Sequence, residues 1–437
     1  MARKMKDSGI EWIGEIPEDW VKAKVKHACS IIGSGTTPSS HNLDYYSDDG
    51  IYWIQSGDLY KTKEIINTDK KISDNAVKAY SILKIYEKPY LVMAMYGASV
   101  GNLSISKIDA ATNQACCVMK TNNSTNLFYL YYWLLFVKDD LLRKAEGGGQ
   151  PNISQDKIKN QIMYLPPTSE QYKIANYLNK RDRQIEDIKN TINEEIESLE
   201  NYKKSLITEA VTKGLDKNVP MKDSGIEWIG EIPKDWSLNK IKNCADIFGR
   251  IGYRGYTQND IVNEGEGAVS LSPSNMVNGE VLYNNNTFIT WEKYNESPEI
   301  KVRIGDIIMV KTGSSYGKVS ILKNLEYKST INPQLVVLKT KHIIKSYLFY
   351  FMNSNYFDYQ VEMSVTGGTI PTMSQEKIKN FHLPTPKIDE QKAIVSYLDK
   401  KCELINETIS LKQKQLQTLE EYKKSLIYEY VTGKKEV

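Results

Sequence analysis

Cysteine is scarce in this chain. Five occur in 437 residues (Cys29, Cys116, Cys117, Cys244 and Cys402), with no C-x-x-C pair and no even number to build a framework. That argues against a disulfide scaffold and fits the reduced thiols of a cytoplasmic protein. Excess charge of one sign is missing too: 57 Lys and Arg against 54 Asp and Glu leave +3, so any surface for a polyanion must be local. Nor is there a long apolar run. No window approaches the ~18 apolar residues of a membrane span, and the start MARKMKDSGIEW lacks the apolar core of a signal peptide. A soluble protein, neither exported nor bound to a membrane, is expected.

The words of catalysis are also few. There is no Asn/Asp-Pro-Pro-aromatic word of a methyltransferase and no G-x-G-x-x-G after a strand. Gly313-Ser-Ser-Tyr-Gly317-Lys318-Val319 is similar to a phosphate loop, but it has one residue too few between its glycines and Val where the Ser/Thr magnesium ligand belongs. His27, His41, His342 and His382 stand without acidic or cysteine companions at ligand spacing. No metal site and no catalytic centre are expected.

What is present is a long helix, twice. Ser169–Lys213 contains neither Gly nor Pro, and Ile174, Leu178, Ile185, Ile188, Ile192, Ile196, Leu199, Tyr202 and Leu206 recur in steps that only a helix places on one face. About 44 residues at ~1.5 Å each would make roughly 66 Å, longer than a compact domain is wide, so the stripe needs a partner. Asp389–Thr432 supplies one: Ile394, Leu398, Ile405, Leu416, Leu419, Tyr422 and Leu426 repeat the stripe, and LENYKKSLI at 199–207 returns as LEEYKKSLI at 419–427.

The repeat extends to the whole chain. MKDSGIEWIGEIP at 5–17 recurs unchanged at 221–233. Gly97–Gly101 pairs with Gly313–Gly317, Gln114 with Gln334, Gly147-Gly148 with Gly367-Gly368, and Ser154–Asn160 with Ser374–Asn380. The chain therefore reads as two copies of about 217 residues. Between the shared frames, the inserts at about 18–146 and 234–366 keep only scattered glycines and polar residues. A frame that binds identical partners twice, carrying inserts that bind different things, would diverge in this way.

Short apolar runs at Ile51–Gln55, Tyr90–Tyr96, Cys116–Lys120, Ala268–Leu271, Ile307–Lys311 and Gln334–Lys339 read as strands, with helical stretches at Leu127–Lys144 and Ser346–Tyr359. Thr168 and Gln171 have the spacing of a capping box, and Gly214 and Gly433 are placed to end the helices. The expected fold class is α+β: two globular α/β domains at opposite ends of a pair of long antiparallel, coiled-coil-like helices, as a pseudo-twofold internal repeat. The expected boundaries are a first domain at 1–168, a first spacer helix at 169–216, a second domain at 217–388 and a second spacer helix at 389–437. Ile174, Leu178, Ile185, Ile196, Leu199, Leu206, Ile394, Leu398, Ile405, Leu416, Leu419 and Leu426 form the seam between the helices.

Each insert has loops rich in hydroxyls, amides and glycine. In the first these carry Ser34, Thr36 and Thr37; Gln55, Ser56 and Asp58 with Lys61; Tyr96, Ser99 and Asn102; Asn113 and Gln114; and, in the glycine loop, Gln150 and Asn152. In the second they carry Arg250, Tyr253, Arg254, Tyr256 and Thr257; Ser272, Ser274 and Asn275; Lys311, Thr312, Ser314, Ser315, Tyr316 and Lys318; Gln334; and Thr369 and Thr372. Such side chains pair with base edges, and glycine lets backbone N–H groups approach phosphates. Any one of them also serves as an ordinary turn residue. Their recurrence at matched places in both copies points to a binding surface, with Arg250, Tyr253, Arg254 and Tyr256 the densest aromatic–basic cluster.

The words KDSGIEWIGEIP-x-x-W, GSGTTP, SGDL, GASVGN, NQ and LPP-x-x-EQ…YL-x-x-K, in this order, resemble those of the specificity subunit of type I restriction–modification systems, over nearly the whole chain. The second copy departs in having Asn332-Pro333-Gln334 for Asn-Gln and no GTTP after Phe248. The resemblance implies that each insert is a target recognition domain reading one half of a bipartite double-stranded DNA sequence. It implies that the helices space these domains and dock two modification subunits, and that restriction subunits join the complex. It also implies a chain that catalyses nothing and holds no cofactor, with S-adenosylmethionine, ATP and Mg on partner subunits and the target adenine flipped into the partner's pocket. Two alternatives stay open: the specificity partner of a fused type II methyltransferase–nuclease, and an adaptor whose loops bind protein or glycan.

Overall fold

The repeated word MKDSGIEWIGEIP folds the same way in both places. In the computed structural model, which describes residues 3–60, 63–145, 152–364 and 371–437, Met5–Asp7 pairs antiparallel with Glu15–Pro17, and Met221–Asp223 with Glu231–Pro233. The same bonds close both hairpins: Ser8 N–H donates to the Gly14 carbonyl at 3.0 Å and Ser224 N–H to that of Gly230 at 2.9 Å. Asp7 and Asp223 each accept the N–H two residues on at 2.9 Å. Lys6 and Lys222 reach the carbonyls of Trp20 and Trp236.

Two units divide the chain, one made of Met1–Ile192 with Lys414–Val437, the other of Asn193–Gln413. In the first, a five-stranded sheet runs in the order Cys29–Gly33, Cys116–Thr121, Tyr90–Ala94, Leu103–Ser106, Glu64–Ile65. A second sheet joins Ala110–Thr112, Tyr46–Ile54 and Lys71–Ile72. Tyr90–Ala94 is buried on both faces and shows the period of two: Leu91 and Met93 face the core shared with the helices, while Tyr90, Val92 and Ala94 face a second core with Ile54 and Leu59. Leu127–Phe136, with the sequence LFYLYYWLLF, is apolar all round and accordingly buried. The expected helix at Leu127–Lys144 comes as two, Leu127–Phe136 and Lys138–Arg143, meeting at Val137.

The second unit repeats the plan with six strands, Ala245–Gly249, Leu335–Thr340, Ile307–Val310, Val319–Ile321, Glu280–Val281 and Met276–Val277 in spatial order, and a separate four-stranded sheet. Ile307 and Met309 again face one core and Ile308 and Val310 another.

The long helices are Thr168–Lys213 and Ile388–Val431, of 46 and 44 residues. In the first unit the start of one runs antiparallel to the end of the other: Lys189 pairs with Glu420, Lys423 bonds Glu186 at 3.0 Å, and the rings of Tyr177 and Tyr430 lie 4.5 Å apart. In the second unit Lys412 bonds Glu195 at 2.5 Å and Lys203 bonds Asn406 at 2.9 Å, again antiparallel. Ile174, Leu178, Ile185 and Leu426 are buried in the first unit and Ile394, Leu398 and Ile405 in the second. Ile196, Leu199, Leu206, Leu416 and Leu419 are half-buried.

Two expectations about the long helices are corrected. Ile188, Tyr202 and Tyr422 stand 49%, 56% and 50% exposed, because a seam against a single partner helix covers a narrower stripe than the full apolar face. Cys402 and Ile409 are buried instead. Thr168 and Gln171 do not form a capping box: Thr168 is already the first residue of the helix, and the Gln171 side chain, 2% exposed, is taken by Asn126 N–H and the Pro166 carbonyl. Gly214 and Gly433 do end the helices, at φ +77° and +69°, a left-handed conformation that glycine adopts without strain. Among the described residues no helix is long and apolar enough to cross a membrane.

Candidate nucleic-acid interface

Each globule is fastened to the start of a long helix by one repeated set of contacts. Trp20 Nε1 donates to Glu170 Oε2 at 3.3 Å, and Trp236 Nε1 to Glu390 Oε2 at 3.0 Å. The Gln171 carbonyl accepts Asn126 N–H at 2.8 Å while its amide donates to the Pro166 carbonyl at 3.0 Å. Gln391 does the same with Ile344 N–H and the Pro386 carbonyl, both at 2.9 Å. Tyr129 hydroxyl donates to the carbonyls of Tyr164 and Val431 at 2.6 and 3.3 Å; Tyr347 serves Pro384 and Val211 at 2.9 and 3.1 Å. These buried clasps satisfy backbone groups that would otherwise be orphaned. Sequence reasoning missed them, although the Glu-Gln pairs at 170–171 and 390–391 stand at matched places in the repeat.

In the first unit most of the expected loops gather at one edge of the two sheets. Gly33, Ile54, Ala94 and Thr112 end their strands there and Cys116 begins one. Asn113 N–H donates to the Ile54 carbonyl at 3.0 Å, Met95 N–H to that of Ala115 at 2.7 Å, and Ile153 N–H to that of Met95 at 2.7 Å. A Cβ on Gly35 would sit 1.7 Å from the Thr112 carbonyl oxygen, so only glycine fits that approach. Thr37 hydroxyl donates to Gln114 Oε1 at 2.6 Å, and Tyr96 lies beside the same amide.

The edge therefore presents Thr37, Gln114 and Asn152 exposed, with Ser34, Thr36, Gln55, Ser56 and Tyr96 half-buried. Other expected contacts turn inward. Ser99 is 5% exposed; Asn102 accepts from Lys138 at 3.1 Å; Asn113 accepts Ala115 N–H at 3.0 Å; Asp58 caps its own turn through Gln55 N–H at 2.7 Å. These short polar groups complete loop backbone and helix contacts. Lys61 and Gln150 lie outside the described residues.

The second unit builds a similar edge. Leu271 and Ile331 end neighbouring parallel strands, Asn332 N–H donates to the Leu271 carbonyl at 2.9 Å, Lys311 N–H to that of Gln334 at 2.8 Å, and Gly313 N–H to that of Pro371 at 3.2 Å. Thr312 bridges Thr372. Thr257, Ser274, Ser314, Lys318 and Gln334 are exposed, and Arg254, Tyr256, Ser272, Lys311, Thr312, Ser315 and Tyr316 are half-buried. Arg250 is the main correction. It is 3% exposed, and its guanidinium donates to the Ile331 carbonyl, the Arg254 carbonyl and Thr330 Oγ1 at 3.1, 3.2 and 3.2 Å. A buried charge must be hydrogen-bonded, and here it braces the edge from inside. Asn275, 1% exposed, likewise bonds the carbonyls of Leu282 and Asn284 at 3.1 and 3.2 Å. The Tyr253 side chain and Thr369 lie outside the described residues.

The repeat is also re-registered by one residue. Asn332 Oδ1 accepts Gln334 N–H at 3.0 Å, as Asn113 Oδ1 accepts Ala115 N–H, and Ala115 and Gln334 occupy the same ladder position. The structural pair is thus Asn113 with Asn332, and Gln114 matches Pro333. Among the described residues no three His, Cys, Asp or Glu side chains gather as metal ligands. Burial pushes the thiols of Cys29 and Cys117 up to about 12, which keeps them protonated.

A family model described as "Type I restriction modification DNA specificity domain" matches residues 17–198 and 233–421. The chain is 26% identical over 430 residues to the type I restriction enzyme MjaVIII specificity subunit of Methanocaldococcus jannaschii, covering 96% of this chain and 93% of that protein. It is 26% identical over 331 residues to the EcoR124I/EcoR124II specificity subunit of Escherichia coli, covering 71% and 72%. A solved chain from work on complex assembly and conformational transition of a type I R-M system superposes with a TM-score of 0.68 at 15% identity, over 96% of this chain and 99% of that one. With both halves of the repeat matched, the chain belongs to the type I restriction modification DNA specificity domain family.

Proposed function

We propose that each loop-bearing edge reads one half of a bipartite double-stranded DNA target, with 1–168 and 217–388 as recognition domains and 169–216 and 389–437 as spacer helices. The observation that carries this reading is that both units gather exposed hydroxyl and amide side chains at one strand edge, on different loop sequences, while the clasps behind them are the same. Hydroxyls and amides suit base edges, and exposed lysines such as Lys318 suit phosphates. The chain itself is non-catalytic in this reading. The helices dock two modification subunits, which bring S-adenosylmethionine, and restriction subunits with ATP and Mg join through them. Apolar side chains left exposed on the helices support docking: Ile188 and Tyr422 in the first unit, and Tyr202, Leu404 and Leu411 in the second.

The test exchanges residues 234–366 for the corresponding insert of a related chain and maps methylated sites in cells that carry the modification subunits. One half of the site is expected to change and the other to persist. Changes in both halves, or in neither, overturn the assignment. Duplex binding that falls steeply with salt yet shows no sequence preference would favour an unspecific DNA contact.

A further inference from the structure

Three loops of the first unit hold a single amide at the exposed edge. Gln114 is exposed and stands between Thr37, whose hydroxyl donates to Oε1 at 2.6 Å, and Tyr96 beside it. A primary amide has two acceptor lone pairs and two N–H donors. Thr37 takes one acceptor position and leaves the other, with the amide N–H donors beside it, on a side chain exposed at the edge. Adenine alone offers the complement in the major groove, an N6–H donor beside the N7 acceptor. Guanine offers two acceptors, cytosine a lone donor, and thymine an acceptor beside a methyl group. The other short polar groups of these loops, Asp58, Ser99, Asn102 and Asn113, are engaged internally, as described above.

We propose that Gln114 is a specificity-determining residue that reads an adenine in the half-site of the first domain, with Thr37 and Tyr96 as positioning residues. The proposal rests on the reading that this edge binds DNA. It also makes the two half-sites unequal at this point, since the matched position of the second domain is Pro333.

The experiment uses the full chain with its modification subunits. Methylated sites are mapped for wild type, Gln114→Ala, Gln114→Glu and Thr37→Val, and a random duplex pool is selected in parallel, with a melting curve for each variant. Gln114→Ala is expected to lose preference at one adenine position of one half-site by roughly 5- to 150-fold, leaving the other half-site intact. Gln114→Glu, an acceptor only, is expected to move that position toward cytosine. Thr37→Val is expected to keep the preferred base with reduced discrimination. An unchanged motif in folded Gln114→Ala, or a loss spread over the whole half-site, overturns the proposal; if that variant does not fold, Gln114→Glu decides by the same criterion. Wild type selecting no sequence at all would instead refute the DNA-reading assignment beneath it.

Discussion

Lys423 of the second long helix lies 2.5 Å from the carboxylate of Asp182 on the first. Lys63, from the loop region of the same unit, reaches the other carboxylate oxygen at 2.6 Å and also bonds Asn179 and Tyr132, at 3.0 and 2.8 Å. The Asp182 side chain is 7% exposed, so one buried acid ties the globule of the first unit to both helices.

Asp182→Ala would leave Lys63 half-buried without its anion and Lys423 with Glu186 alone. Removing one partner of a buried pair costs about 3–5 kcal/mol, and the lower end is expected because both lysines retain access to water. Urea titration of the purified chain measures it. Burial works to raise the Asp182 pKa, but Lys63 and Lys423 overcome it and hold the carboxyl below its ordinary value. A depressed carboxyl contributes stability above its unfolded pKa of about 3.9 and loses it as pH falls through the lower folded value. Wild type should therefore lose stability below about pH 4 more steeply than Asp182→Asn, as followed by urea midpoints against pH.

Gln171→Ala and Gln391→Ala should each cost about 1–3 kcal/mol, the penalty for leaving a buried N–H and a buried carbonyl unpaired. Similar losses are expected from the two, because the bonds are the same in both units. Proteolysis rates of each unit under mild urea would show the difference between local and shared loosening.

Gly35→Ala and Gly57→Ala make a controlled pair. The first places a methyl group 1.7 Å from a backbone oxygen, while the second meets nothing within 4 Å. The expected outcome is a cost of about 1–3 kcal/mol or more from overpacking in the first, with impaired reading of one half-site, and a change within about 0.5 kcal/mol in the second.

Arg250→Ala should behave as a folding variant. It removes three hydrogen bonds from a charged group, each worth about 1.5–3 kcal/mol in such settings, and the second unit should melt earlier. A variant with wild-type stability but one altered base preference would contradict this inward role.

Much of the frame was legible because its signals are strong and repeated. Forty-odd residues at helical period, closed by Gly214 and Gly433, admit few other structures, and the alternation in Tyr90–Ala94 follows from burial on two faces. The failures have a common physical origin: tertiary context decides which polar group turns inward. Arg250 looks like a surface cation until Thr330 and Ile331 are seen beside it. Gln171 looks like a cap until the loop at Asn126 arrives to use it. Matching Gln114 to Gln334 by letter is off by one because identity of letters outweighs the backbone turn that Asn113 and Asn332 share, and the proline that stands at 333 in place of Gln114 shows only when the ladder is traced.

The second unit is one continuous stretch, Asn193–Gln413, whereas the first needs Lys414–Val437 to be whole. Leu426, Ile427, Tyr430 and Val431 belong to the core that Trp20 and Tyr129 help to build, yet they leave the ribosome more than two hundred residues after Ile192. At ~5–20 residues per second the earlier-made half waits tens of seconds with an uncovered apolar groove. The later-made half has every residue of its own core before translation ends. Maturation thus runs against the order of synthesis, and a chaperone would find its longest-lived client surface on the portion that emerged first.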